Sequence, residues 1–464
     1  MRPLDLRWFP VPRLALAGLA VFAGLAGLGC KDPPLPGPDA GQVNFAEFLQ
    51  NLDGGVDPGT EVPIPKDVPP VDQCKEVWRF QLPEGGAAQN PVVHKDGTIT
   101  AVSAVALQHV TPTGQEVCPT PFTLTGELFG SPALSTEGTA YLGTQSGKLV
   151  AVDKKCQAKW KQTVVVSAGH AIREAPVVEG NALYVLDDVP VLRRIRDDGT
   201  QALVPFDWEF KVKDSAMSGA NVVHSGGGEP WVAFPSRTQV SAVRTSGAKH
   251  WQLDVTNPAH VPDAAAGREV TSTLALTRDR EVLFIVGTRI GDRFNDNRLH
   301  RVLPEPVAGS AASKSSYPKA LDLPTDHVMS IVVAGDESIF LGTQGHGVVK
   351  LDAQGNQLWY FVGDQVSLHV RTVPAVGDDG AVYFTAEPQT FYGVNSDGDP
   401  IFRTTPQGSE LLGTSPNFGQ NGTLYVQLGV SLFAYTCPSH GLAVASWPRY
   451  QRNPRGAGRL DESL

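Results

Sequence analysis

Two short runs in this 464-residue chain carry side-chain oxygens at a density that suits a divalent cation. Residues 291–301 (GDRFNDNRLHR) offer Asp292, Asn295, Asp296 and Asn297, and calcium is held by such hard ligands. The acids do not alternate as a calcium loop requires, so a solvated loop is expected. Residues 394–400 (VNSDGDP) look similar but fall where a hairpin is needed. His94, His170, His224, His346 and His440 are scattered, with no pair at metal-binding spacing on one element. Gly226, Gly227 and Gly228 lack the Lys and helix of a phosphate loop, and no serine stands in a nucleophile elbow. Asn421-Gly422-Thr423 matches a glycosylation acceptor but reads as a turn. Asp153, Asp197, Asp198, Asp352, Asp378 and Asp379 read as solvated hairpin residues. No catalytic residue, metal site or cofactor is assigned.

The elements that would position these residues follow a repeat with a period near 42. Each unit opens on a small residue, a Pro and an apolar trio. Turns alternate with short apolar strands, and many units end in an aromatic strand. The clearest copies are 131–160, 330–359, 372–402 and 415–435. Weaker ones occupy 90–117, 175–199, 220–251 and 271–287. Aligned at Pro91, Pro132, Pro176, Asn221, Thr273, Ile331, Pro374 and Pro416 they number eight, and six of the seven gaps lie between 41 and 52 residues. The longer gap marks an insertion at 288–326, rich in Ser, Ala and Pro. Alternation of period two places the runs in strands, and DG, EG, NG and SG pairs supply hairpin turns. Four short strands per unit of this length describe a propeller blade. The expected fold is all-β: one β-propeller of about eight four-stranded blades across 74–464.

Ring closure has its own signature. CKEVWRFQL (74–82) is a Trp strand without its first three strands, and the unit at 415–435 has three strands and lacks a fourth. Threading 77–82 into that last unit closes the ring and removes the exposed edges. Residues 446–460 would then lie across the closure. Cys74 begins the borrowed strand and Cys437 follows the strand it would join, so the two are paired as a clasp. Cys118 and Cys156 occupy similar turns in adjacent units and could pair across blades.

The chain begins as an exported protein does. Arg2, Arg7 and Arg13 precede an uncharged apolar run, Leu14 to Gly29, too short for a membrane span and right for a signal peptide over 1–29. The run stops at Cys30. A small residue followed by Cys at this point resembles the bacterial lipoprotein signal, which implies acylation of Cys30 as the mature N-terminus. Lys31 behind it favours outer-membrane sorting. Residues 30–73 form a linker: between 31 and 73 stand nine prolines and eight acidic residues against two lysines, a net −6. Such a segment cannot bury enough apolar surface to fold, and it would act as a tether. With a net charge of −10 the chain lacks the basic face that nucleic acid requires.

The segments AVDKKCQAKW, AVRTSGAKHW and KLDAQGNQLW resemble the quinoprotein (pyrroloquinoline-quinone) β-propeller repeat, and Trp447-Pro448 with Asn453-Pro454-Arg455 resembles a flanking motif of the same superfamily. The resemblance implies that Trp78, Trp160, Trp208, Trp251 and Trp359 dock each blade against the next. Quinone-dependent dehydrogenases of the superfamily resemble one another in an adjacent Cys-Cys pair; this chain has neither that pair nor a Cys-x-x-Cys-His haem motif. The non-catalytic branch includes the BamB-type lipoproteins of outer-membrane-protein assembly, similar in outline to a lipoprotein signal followed by a propeller. The expectation is therefore a monomeric, non-catalytic lipoprotein of the cell envelope. It would sit at the outer membrane, facing the periplasm or the cell surface, and bind envelope proteins. A quinone-dependent enzyme or a small-molecule or sugar-binding propeller is the alternative.

Overall fold

The computed structural model divides the chain into two units, Met1–Val62 and Pro63–Leu464. The described residues all lie in the second: 73–83, 89–124, 128, 130–160, 164–199, 206–212, 214, 222–224, 229–261, 265–291, 293–303, 327–363, 367–387, 390–406, 413–453, 455–456 and 458. Cys30, the signal peptide and all but the end of the linker fall outside them.

Eight antiparallel sheets make up the ring, mostly four-stranded. Blade 1 runs Val92–Val93, Ile99–Val102, Ala106–Val110, Phe122–Thr123, and blade 2 runs Ala133–Leu134, Ala140–Gly143, Lys148–Val152, Val164–Val165. Blades 3, 4 and 7 start at Val177, Val222 and Ala375, each one residue after the position aligned in the sequence. Blade 6 gains a fifth strand, Leu368–His369, on Ile339–Gly345. The middle strands are buried almost residue by residue, because each blade face is covered by a neighbouring blade rather than by water.

Blade 8 closes the ring as the sequence predicts. Its first three strands are Asn417–Phe418, Thr423–Leu428 and Ser431–Thr436, and its fourth is Lys75–Gln81 from the other end of the fold. Lys75 pairs with Thr436, so the chain ends meet where the other blades have a hairpin turn. The Cys74–Cys437 disulfide stands in for that turn.

Blade 5 departs from the expectation. Residues 288–290 and 293–302, read from sequence as the start of a solvated insertion, are strand. Val282–Ile290 and Arg293–Val302 form a hairpin paired from Val282↔Val302 out to Ile290↔Arg293. Ala275–Leu276 and then Arg268–Val270 pair in succession along the other edge of Val282–Ile290. Residues 304–326 of the insertion lie outside the described residues.

The tail also takes an unexpected path. Instead of lying across the closure it crosses the turns of blades 8 and 7 and enters the axis of the ring. Ser439 Oγ donates to Asp379 Oδ1 at 2.5 Å and His440 N to Asp378 Oδ1 at 2.9 Å. Further on, inner-strand amides turn to the tail: Val333 N to Trp447 O (2.8 Å), Val376 N to Pro448 O (2.9 Å) and Leu134 N to Arg455 O (3.0 Å). Ala175 N donates to the Tyr450 hydroxyl at 3.1 Å. These contacts reach blades 6, 7, 2 and 3, so residues 442–453 and 455–456 plug the axial channel.

Candidate functional site

The joints between blades are built from one local device. An Asp, Asn or Thr opens the turn before the outermost strand, and its side chain accepts from the amides two and four residues on. Asp153 Oδ1 takes Lys155 N and Gln157 N, both at 2.9 Å. Asp352 Oδ1 takes Gln354 N at 2.9 Å and Asn356 N at 2.8 Å. Three residues after the opener the backbone goes left-handed, which favours Gly; four residues later comes the aromatic side chain. That spacing is Asn395–Gly398–Phe402 and Asp352–Gly355–Trp359.

Three of the indoles lie on the turn glycine of the following blade. A Cβ built on Gly114, Gly247 or Gly398 would stand 2.7, 2.7 and 3.1 Å from the rings of Trp78, Trp208 and Trp359. Trp78 Nε1 donates to Pro112 O (2.9 Å), Trp208 Nε1 to Thr245 O (2.8 Å) and Trp359 Nε1 to Ser396 O (3.0 Å). Trp160 uses a carboxylate instead. Its Nε1 donates to Asp197 Oδ1 at 2.9 Å, while Asp197 Oδ2 accepts from Tyr141 (2.5 Å) and Lys159 (2.8 Å). Asp197 is therefore a buried hub, not the solvated turn residue the sequence suggested. Burial alone would raise its carboxyl, but the bonds from Lys159, Trp160 and Tyr141 prevail and hold it below the ordinary range.

Trp251 differs from the other four. Its ring meets Trp231 of its own blade edge-on at 5.9 Å, in the apolar cluster shared by blades 4 and 5. Arg301 makes the link from blade 5 to blade 6, with Nε 3.1 Å from Glu281 and Nη2 on Ala353 O at 3.4 Å. From blade 7, Phe402 packs on Tyr435 at 5.3 Å beside the Cys74–Cys437 bridge. Repeat periodicity missed these two because neither residue type is the repeat's Trp.

The exposed chemistry collects around the blade 5 hairpin. Glu269, 5% exposed, accepts from Arg237 Nε (2.8 Å) and Nη2 (2.5 Å) and pairs with Arg289 at 3.3 Å. Arg268 pairs with Asp296, whose other oxygen holds Arg298 at 3.0 Å. His327 packs on Phe294 at 4.7 Å, and burial lowers its pKa. On the neighbouring blades, Arg371 meets Glu387 at 2.8 Å. Arg237, Arg289 and Arg371 keep close to half of their side chains in water, and Ile290 at the hairpin tip is 58% exposed. Asp296 is thus an ion-pair partner in a strand, and Asn297 is fully buried behind Gly287. Among the described residues no group of three His, Cys, Asp or Glu converges as a metal site. Arginine forks around an exposed apolar tip can grip carboxylates and bury aliphatic surface, as protein interfaces do.

An eight-bladed propeller of quinoprotein-type repeats is the class these features define. The family model described as outer membrane protein assembly factor BamB matches residues 71–291. The chain is a distantly BamB-like propeller. Among solved structures it is similar to BamB from Moraxella catarrhalis, with 14% identity and a TM-score of 0.53 over 78% of this chain and 99% of that one. The computationally designed Ika8 protein (11%, TM-score 0.55, 78% and 99%) and the C-terminal WD40 domain of Sif2 (10%, 0.55, 81% and 99%) are comparable. Such identities speak for the fold alone. No curated protein matches the chain in sequence.

Proposed function

We propose that this protein is a non-catalytic scaffold of the cell envelope, a lipoprotein anchored through acylated Cys30 and held off the membrane by the acidic linker 30–73. It needs no cofactor, acts as a monomer and binds envelope proteins at the outer membrane. The observation that carries the reading is the BamB-type repeat over 71–291 in a ring whose axis its own tail fills. A filled axis leaves the loop-bearing faces for binding, and loops are where rigid scaffolds present their contacts. The blade 5 hairpin, with Arg237, Arg289 and Ile290, is the surface that suits a protein partner.

A crosslinked pull-down of the tagged, membrane-extracted protein tests this, with mass spectrometry of bait and captured chains. An acylated N-terminus at Cys30 together with outer-membrane assembly components supports the scaffold. An unmodified soluble chain with no protein partner overturns it.

A further inference from the structure

The segment that fills the channel carries a charge with no counter-charge beside it among the described residues. Arg449 is 0% exposed, and its Nη1 donates to Asn453 O at 2.6 Å. Its Nε and Nη2 are buried and have no hydrogen-bond partner among the described residues. Among the described residues the neighbouring ionisable group that acts on it is Tyr450, whose hydroxyl burial and the adjacent Glu174 keep protonated. Burial pushes the guanidinium down only to about 9, so it is charged at neutral pH. Buried charges in folded proteins are paired, because an isolated one forfeits its hydration for nothing. Nε–H and Nη2–H point the same way from one edge of the plane, the edge that binds a carboxylate or similar oxyanion with two parallel bonds. Ser446, in the same segment, has a buried hydroxyl oxygen without a partner among the described residues.

We propose that the Nε/Nη2 edge of Arg449 holds a small monovalent anion, a carboxylate-sized oxyanion or a halide, enclosed between the C-terminal plug and the inner strands. The anion balances the guanidinium and fixes residues 447–456 in the channel. Because the site is enclosed, the anion enters as the tail docks and exchanges slowly afterwards. It is a structural ligand, independent of any partner bound on the faces.

Bromide is the direct probe. The full chain would be unfolded, refolded and crystallised with sodium bromide in place of chloride. A bromine anomalous peak within hydrogen-bonding reach of Arg449 Nε and Nη2 is expected, and a water or nothing at that edge overturns the proposal. In solution, thermal unfolding would be compared in chloride, nitrate, formate and gluconate at one ionic strength. The small anions should raise the wild-type Tm by several degrees over gluconate, which is too large for the enclosure, and Arg449→Gln should lose that dependence. Chloride against formate separates a halide site from an oxyanion site. An equal anion response in both proteins overturns the proposal; if Arg449→Gln does not fold, the bromide crystal decides.

Discussion

Cys118 and Cys156 are bonded to each other across blades 1 and 2 at two positions that other joints of the ring give to an indole and the glycine beneath it. Cys118 stands four residues after Gly114, where Trp251 and Trp359 follow Gly247 and Gly355. Cys156 holds the left-handed turn position, with φ of 58°. A covalent bond has replaced a stacking contact, and within blade 1 Gln108 Nε2 donates to Cys118 O at 2.8 Å.

Losing that bond should therefore cost what a disulfide costs and be recoverable by the repeat's own contact. Cys118→Ser with Cys156→Ser is expected to lose about 2–4 kcal/mol in urea unfolding. Cys118→Trp with Cys156→Gly should regain more than half of it, since glycine also relieves the left-handed strain. No recovery would mean that the two joints are not equivalent.

Gly247 and Gly199 both sit at positive φ, 93° and 81°, but only Gly247 has an indole on it. Gly199→Ala meets no atom within 4 Å and should cost about 1–2 kcal/mol from backbone strain alone. Gly247→Ala drives a methyl into Trp208 and should cost about 1–3 kcal/mol more. Equal losses would show that the stacking contact carries no energy.

Asp197→Ala leaves Tyr141, Lys159 and Trp160 without their shared acceptor in a buried joint. The expected loss is about 3–5 kcal/mol, as for breaking a buried pair by removing one partner. Asp197→Asn should lose less, because an amide oxygen still accepts. Calorimetric Tm values of the two variants decide it.

Two buried histidines, His94 and His109, and the half-buried His327 set a pH limit. His109 Nε2 lies 3.0 Å from Asp153 O, and Thr100 Oγ1 lies between His109 Nδ1 (2.9 Å) and His94 Nε2 (2.7 Å). Burial lowers all three pKa values, His94 to about 3. Below the ordinary value of 6.5 the unfolded chain binds protons that the folded ring refuses. Stability is therefore full above that pH and falls below it, by about 1.4 kcal/mol per unit for His94 down to its folded value of about 3, with His109 and His327 adding in the same direction. Urea midpoints at pH 7, 5.5 and 4.5 should decline, with a shallower slope in His94→Gln. Parallel slopes would remove His94 from the account.

The blades, their number and their closure were legible in the sequence because each is written locally. An Asx residue, a glycine three on and an aromatic four beyond it define a turn and a strand without reference to the rest of the chain. The orphan strand at Trp78 and the unit at 415–435 lacking one could only complete each other. The fifth blade misled because Asn295 and Asp296 have the composition of a loop. Their strand is stabilised by Arg268 and by pairing with Thr288 and Arg289, which composition does not register.

What the sequence by itself determined, then, is the repeating hairpin and the order of strands, since those depend on residues a few positions apart. Tertiary structure decided which groups lose water. Asp197 became a buried hub only when blade 2 brought Trp160 and Lys159 to it from 37 and 38 residues away. Tyr450 met Ala175 across 275 residues, and Arg449 lost its solvent because the ring had already formed around the tail. Burial of a charge is a property of the assembled ring, and no local pattern of residue types encodes it.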